Sequence, residues 1–502
     1  MHPTRNDPAE QQRQKKGRHG SAGTAVTEQT ESALANDTSP SVATDVRPQL
    51  GMSSAVPPAP NRQRGVVILL VAVVLLFVVG AMAALSIDVV TFYTARSEAQ
   101  LAADAAALAA ARVLANSGMT SNPVTDPNHA NLVSATKILA GAIAKQVAAQ
   151  NEVGGRLLNA ATEVNVTFND GSVSAALFAT NPHVTVQVTR TDLPTFFARI
   201  WGTTTVGVQA SAAAEAYNPS GASALPLGAA VTPVAPTCVK PWVLPNISPP
   251  GGVNNKIIDA ATGAILDTSL VGRDLGGTRL YARCGGNCQP NWSTNATPIG
   301  WRYYPADPAS FPSPVALPAC AATLVNAYQL DIAGCVPAPI TCGTTANGGT
   351  PINLDTSSHF GRNSQTADAV NCLTHTAANV AGDADSLSPA VTPGEPFEFL
   401  GGNNNPVPGA VGNNVIVSDS LVTVPIYDAD SGDPAPTSPV TVIGFVQLLL
   451  NSDGVGVSDT APNSGRIKTT VINVVGCGNG APLPPILGNG ASPVPVRLIT
   501  PP

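Results

Sequence analysis

Residues 65–87, GVVILLVAVVLLFVVGAMAALSI, form a run of 23 without a charged side chain, and no proline follows before Pro123. About 20 apolar residues in a helix cross the roughly 30 Å hydrocarbon core of a bilayer. A soluble core helix has no need to be apolar on every side for that length. The run therefore predicts a single-pass membrane protein: one transmembrane helix, with most of the chain on one side of the membrane.

The flanking charges orient it. Arg62 and Arg64 stand immediately before the run and Arg47 further out, whereas Asp88, Arg96 and Glu98 are the first charges after it. Basic residues stay in the cytoplasm, so Arg62, Arg64 and Asp88 mark the membrane boundaries and everything beyond Asp88 is expected to be exported. Residues 81–83, Ala-Met-Ala, have the small-x-small form of a signal cleavage site. The apolar run is too long for an h-region, however, and 64 residues precede it, which favours an uncleaved signal anchor. All eight cysteines, Cys238, Cys284, Cys288, Cys320, Cys335, Cys342, Cys372 and Cys477, lie on the side assigned to export, where disulfides persist. The sequence leaves their connectivity open. Cys284 and Cys288 have the spacing of half a zinc site, but with no histidine or second close cysteine pair nearby a disulfide is the expected state.

Residues 1–64 contain no aromatic side chain and read as a disordered cytoplasmic tail. Its basic cluster, Arg13, Lys15, Lys16 and Arg18, suits a contact with anionic head groups, but a solvated cluster is the favoured reading. The transmembrane helix is expected to continue through an alanine-rich extension over 65–117, stopping at Asn116-Ser117-Gly118. Residues 128–217 read as an α+β module with an antiparallel sheet. Within it, 131–150 have helical spacing and 163–168, 172–179, 183–190 and 204–217 read as strands. Asn169-Asp170-Gly171 has the form of a hairpin turn, and 194–202 that of a short helix. A linker at 218–234, a loop-rich, mostly β, cysteine-containing region at 235–478 and a proline-rich tail at 479–502 complete the division. The clearest late strands are 414–428, 439–450 and 466–475.

The segment 62–115 carries a resemblance. A basic-glycine start (Arg62-Gln63-Arg64-Gly65), an aspartate closing the span (Asp88), Tyr93, Arg96 and the run QLAADAAALAAA from Gln100 to Ala111 occur together. This combination resembles the N-terminal segment of TadE/TadG-like proteins of Flp (tight-adherence) pilus assembly. The resemblance implies a bacterial inner-membrane protein without enzymatic activity, whose partners are the membrane and other pilus-assembly or envelope proteins. Leu70 stands where a processed pilin-like subunit would carry glutamate, so cleavage after Gly65 is not assigned. Longer relatives often carry a von Willebrand factor A domain, whose metal site needs Asp-x-Ser-x-Ser. Asp355-Thr-Ser-Ser-His359 ends differently, so that domain is not assigned either.

The extension has its own physical logic. Between Gln100 and Ala111 the only charge is Asp104, and small side chains let a neighbouring element approach closely. Arg96, Gln100 and Asp104 share one helical face at i, i+4 and i+8. Arg96, Gln100, Leu101, Ala103, Asp104, Ala107 and Leu108 are therefore the expected packing and assembly residues. Asp428, Asp430 and Asp433 cluster, but Pro439 occupies the twelfth position of an EF-hand register. No nucleophile elbow, P-loop, dinucleotide fingerprint or histidine ligand pair is present, so neither catalysis nor a cofactor is expected. A net charge of −7 leaves no basic stripe for nucleic acid. Of the readings left, a membrane-anchored scaffold is favoured over a surface adhesion or ligand-binding protein acting through its cysteine-rich region, and over a cell-wall enzyme.

Overall fold

A computed structural model describes residues 62–220, 232–249, 256–272, 281–282, 302–343, 349–355, 362–376, 384–388, 392–403, 405, 407–428, 439–458, 465–477, 484–488 and 492–500. The tail 1–61 with its basic cluster, Cys284, Cys288, residues 356–361 and most of the 428–433 acidic cluster lie outside them. Two compact units divide the chain, Met1–Leu70 and Val71–Pro502. The first is described only from residue 62 to residue 70, all of it helix.

One helix, α1, runs through Arg62–Asn116, 55 residues without a break. Leucine, valine and alanine sustain it, no proline interrupts it, and Gly118 at φ 80° turns the chain out of helix. Its apolar start is bare, with Leu76 74% exposed. From Ala95 onward one face is sealed: Ala95, Ala99, Ala103, Ala106, Ala110 and Leu114 recur at helical spacing and are at most 1% exposed.

The helix α2 (His129–Ala149), strand β1 (Val164–Phe168), helix α3 (Ala175–Thr180), and strands β2 (His183–Pro194) and β3 (Thr205–Ala216) follow. A distant strand, β14 (Val496–Ile499), completes an antiparallel sheet of order β1-β2-β3-β14. The register pairs Val184 with Ala214, Val186 with Ala212 and Val188 with Ala210, and all six are buried on one face. That face, the alanines of α1 and the buried stripe of α2 (Leu132, Ala140, Ala144, Ala148) form one hydrophobic cluster. The alanines of β3 and of α1 belong to the same cluster.

Several details differ from the sequence expectation: Asn169–Gly171 is a 3₁₀ turn leading into α3 rather than a hairpin turn, and the strand read over 414–428 is confined to Leu421–Tyr427. Residues 172–179 are not a strand, because Ser174 caps α3 by accepting from the Leu177 N–H at 3.2 Å and Ala-Ala-Leu then favours helix. The fourth strand comes instead from residues 496–499, inside the stretch read as a proline-rich tail. Pro194 ends β2, and the expected short helix is reduced to a 3₁₀ turn, Ala198–Trp201, closed by Gly202 at φ 88°.

The second sheet joins β5 (Trp242–Pro245), β6 (Tyr281–Ala282), β7 (Arg302–Pro305), β10 (Leu421–Tyr427), β11 (Val442–Leu450) and β12 (Thr469–Gly476) in the order β12-β11-β10-β5-β7-β6. Small pairs are made by β4 (Val234–Ala235) with β13 (Ile486–Leu487), and by β8 (Ser386–Leu387) with β9 (Phe399–Leu400). Every residue of β10, β11 and β12 is buried, which accounts for sequences that are largely apolar rather than alternating. Phe445 and Val475 join the cluster of α1. Val446 and Val474 join a second cluster containing helices α4 (Ala327–Ala333) and α5 (Arg362–Leu373). Disulfides join Cys238 to Cys335, Cys320 to Cys372 and Cys342 to Cys477, with Cα separations of 4.3, 5.7 and 5.7 Å.

A buried polar knot holds the end of α1 against this sheet. Asn473 Nδ2 donates to the Ala115 carbonyl at 2.6 Å and to Gln447 Oε1 at 2.7 Å. Its Oδ1 accepts from the hydroxyls of Thr120 and Ser121 at 3.3 and 3.1 Å. Asn218 Nδ2 adds bonds to the Thr120 carbonyl, Ser121 Oγ and the Val474 carbonyl, each at 3.1 Å. Buried donors and acceptors satisfied this fully specify one arrangement, and a partly satisfied set is costly. Asn473→Ala is expected to lower unfolding stability by about 2–4 kcal/mol, measured by chemical denaturation of the detergent-solubilised protein.

Candidate functional site

The residues singled out by sequence fall into two groups along α1. Arg62 lies at its start and Arg64 two residues on, with Gly65 next. Ala103 and Ala107 are completely buried, Leu108 is half-buried against the same cluster, and Leu101 is 65% exposed. Their packing partners lie in this chain, on β2, β3 and α2. Gln100 Nε2 donates to Asp104 Oδ1 at 2.8 Å and to the Ser211 carbonyl of β3 at 3.2 Å, which fixes the helix against that strand. Arg96 is exposed on the same stripe. Glu98, two residues from Arg96 and so on another face, accepts from the Gly154 N–H at 2.7 Å.

Asp88 has a role that the flanking-charge argument did not reach. Its side chain is 1% exposed, and its oxygens gather the backbone of the β2–β3 connection. Oδ1 accepts from the Phe196 N–H at 3.0 Å and Oδ2 from those of Phe197 and Ala198 at 3.1 and 2.8 Å. Three successive N–H groups converging on one carboxylate make a small anion-binding nest, occupied by a side chain of the same molecule. Below Asp88 on the helix, Leu76, Phe77, Gly80 and Ala84 line an almost wholly apolar groove closed on one side by Phe197. Its signal in the sequence was Gly80 and Ala84 four residues apart followed four later by Asp88, beside a distant Phe-Phe pair.

The strongest electrostatic perturbation is elsewhere and is structural. Lys240 is buried, and its Nζ donates to the carbonyls of Ile332 and Gly334 at 2.6 and 2.8 Å, capping the C-terminal end of α4. Desolvation pulls its pKa down to about 8, against the attraction of Asp419 and Asp331. Desolvation likewise pushes Asp331 up to about 7, with Lys240 opposing. With its donors committed to carbonyls, this lysine has the geometry of a cap. Among the described residues no group of three or more histidine, cysteine, aspartate or glutamate side chains could hold a metal ion.

A bare apolar helix long enough to cross a membrane continues into a sheet-rich, disulfide-linked body. Residues 65–113 match the family model described as “Putative Flp pilus-assembly TadE/G-like”, within the segment whose motifs carried the resemblance. No curated protein and no solved structure matches the chain. By length and composition α2 also qualifies as a membrane-crossing helix.

Two outcomes follow from this geometry. Asp88→Ala removes the common acceptor of three N–H groups. Hydrogen exchange at residues 196–198 is expected to accelerate by at least roughly tenfold, while the amides of β11 keep their protection. For Asp331, the proton held in the folded state up to about pH 7 stabilises the fold below the unfolded carboxyl pKa, and that stability is lost as pH rises towards 7. The melting temperature of Asp331→Asn minus that of the wild type is therefore expected to rise between pH 4 and 7 and to level off above 7, as read by calorimetry.

Proposed function

We propose that this chain is a single-pass, non-catalytic structural component of Flp pilus assembly or a related secretion apparatus. It is anchored in the bacterial inner membrane with its N-terminus in the cytoplasm and its body exported. The observation that carries the reading is α1 itself. The part matching the pilus-assembly family model begins at the bare apolar segment and ends among the buried alanines. Anchor and core are thus one element, as a scaffold requires.

Three further facts support it. The helix α2, although apolar enough to cross a membrane, buries Leu132, Thr136, Ala140, Ala144 and Ala148 in the body, and its Lys137 pairs with Asp170. A packed helix of that kind supports one membrane crossing. Three disulfides beyond Asp88 fit an oxidising compartment, and Arg62 and Arg64 fit a cytoplasmic start. The alanine face is occupied by the chain's own sheet, so partners would meet α1 along its bare stretch and through the surface of the body.

Protease added to spheroplasts of the native host is expected to degrade the chain beyond Asp88 and leave a short protected N-terminal fragment. Deleting the gene is expected to abolish surface pili. Protection of the cysteine-containing body would reverse the orientation, and normal piliation in the deletion strain would remove the assembly role.

A further inference from the structure

We propose that the tip of the β2–β3 hairpin is a second membrane contact, with Phe196 and Phe197 inserted among the phospholipid acyl chains of the leaflet next to the body. The proposal rests on the reading of residues 65–87 as a membrane span.

Depth is the first argument. Phe197 lines the groove with Val73, Leu76, Phe77, Gly80 and Ala84. These residues precede Asp88 by four to fifteen positions, which is roughly 6–22 Å along a helix. If residues 65–87 lie in hydrocarbon, the groove and Phe197 lie there with them. Phe196 is 62% exposed beside it, a large apolar area to leave in water but an ordinary one to leave in lipid.

The backbone supplies the second argument. Irregular chain is tolerated at membrane depth only where its polar groups are satisfied within the protein. Here the N–H groups of Phe196, Phe197 and Ala198 end on Asp88. The Thr195 N–H donates to the Thr204 carbonyl at 3.3 Å, Gly202 to Arg199 at 3.0 Å, and Thr203 to Ala198 at 3.2 Å. Asp88 thus does for the loop what water would do on an ordinary surface. A solvent-exposed hairpin tip has no need of a carboxylate buried beneath it.

Charge is the third. Between Asp192 and Glu215 the only ionisable side chain is Arg199, so the tip presents two phenylalanines and a single cation. Phenylalanine ranks with leucine, isoleucine and valine as favourable in the hydrocarbon core, and one arginine suits anionic head groups. The lipid-facing surface of α1 continues without a step into the groove, with Leu76, Phe77 and Val73 all more than half exposed. Acyl chains that cover the helix therefore cover the tip as well.

The test uses the full chain with Phe196→Cys, labelled with an environment-sensitive fluorophore under non-reducing conditions. The protein is reconstituted in vesicles of phosphatidylethanolamine and phosphatidylglycerol. The same label at Leu76, in the span, and at Val417, 65% exposed on the body, gives the two references. Phe196 is surface-exposed, so its replacement leaves the core intact. The expected result is emission shifted to the blue of the Val417 label, with fluorescence lost to doxyl-labelled lipids and retained against aqueous iodide. A Phe196 label quenched by iodide like Val417, while the Leu76 label responds to doxyl lipid, overturns the proposal and leaves the span standing. Absence of lipid quenching at both Leu76 and Phe196 overturns the span and the proposal together. Shielding of Phe196 from both quenchers overturns lipid as the occupant and assigns the site to a protein cover.

Discussion

The arrangement of this protein depends on the outer half of α1 burying a face of small side chains in the same core as its own sheet. Alanine recurs on the sealed face of the helix, and alanine alternates on the facing strand β3. The valines of β2 fill the space beside that seam. Such a contact gains little from any one side chain. Its strength comes from many short-range dispersion contacts, together with Gln100 reaching the β3 backbone. Because the seam uses small residues on both sides, it tolerates enlargement on neither.

Polar groups then set what the alanines cannot. An alanine seam permits a helix to slide along its axis. The knot of Asn473, Gln447, Thr120, Ser121 and Asn218 at one end and Asp88 with the 196–198 amides at the other prevent it. Both fixings join α1 to segments more than a hundred residues away in sequence: Asp88 lies 108 residues before Phe196 and Ala115 lies 358 before Asn473. Small apolar surface thus provides proximity and a few buried, fully used hydrogen bonds provide register.

The legible part of this molecule was the part whose physics is local. The charge-free run, the helix stop at Gly118, the α2 spacing and the three apolar runs of β10, β11 and β12 all follow from propensity and patterning over a short window. Where local signals competed, patterning misled: alternation across 172–179 suggested a strand, but Ser174 offered a cap and helix formed. Long-range choices left no trace. Nothing in the neighbourhood of Asp88 announces that its acceptors serve residues 196–198. Nothing near Asn473 announces that it holds the end of a helix that closes at Asn116. The disulfide pairing also stayed open in the sequence, since Cys342 and Cys477 are 135 residues apart.

The strand β14 has a consequence in time rather than space. Three strands of the first sheet come from residues 164–216, yet its fourth is supplied by residues 496–499. Until that segment has been synthesised, the outer edge of β3 presents unpaired N–H and carbonyl groups, a template for any extended chain. Sheet closure across so long a separation is also slow. A nascent molecule therefore passes through a period with its sheet edge open while the rest of the body emerges, and during that period its choice of strand partner is made by encounter. On arrival, residues 496–499 pair with the Ala213–Ala216 end of that edge and remove it as a template.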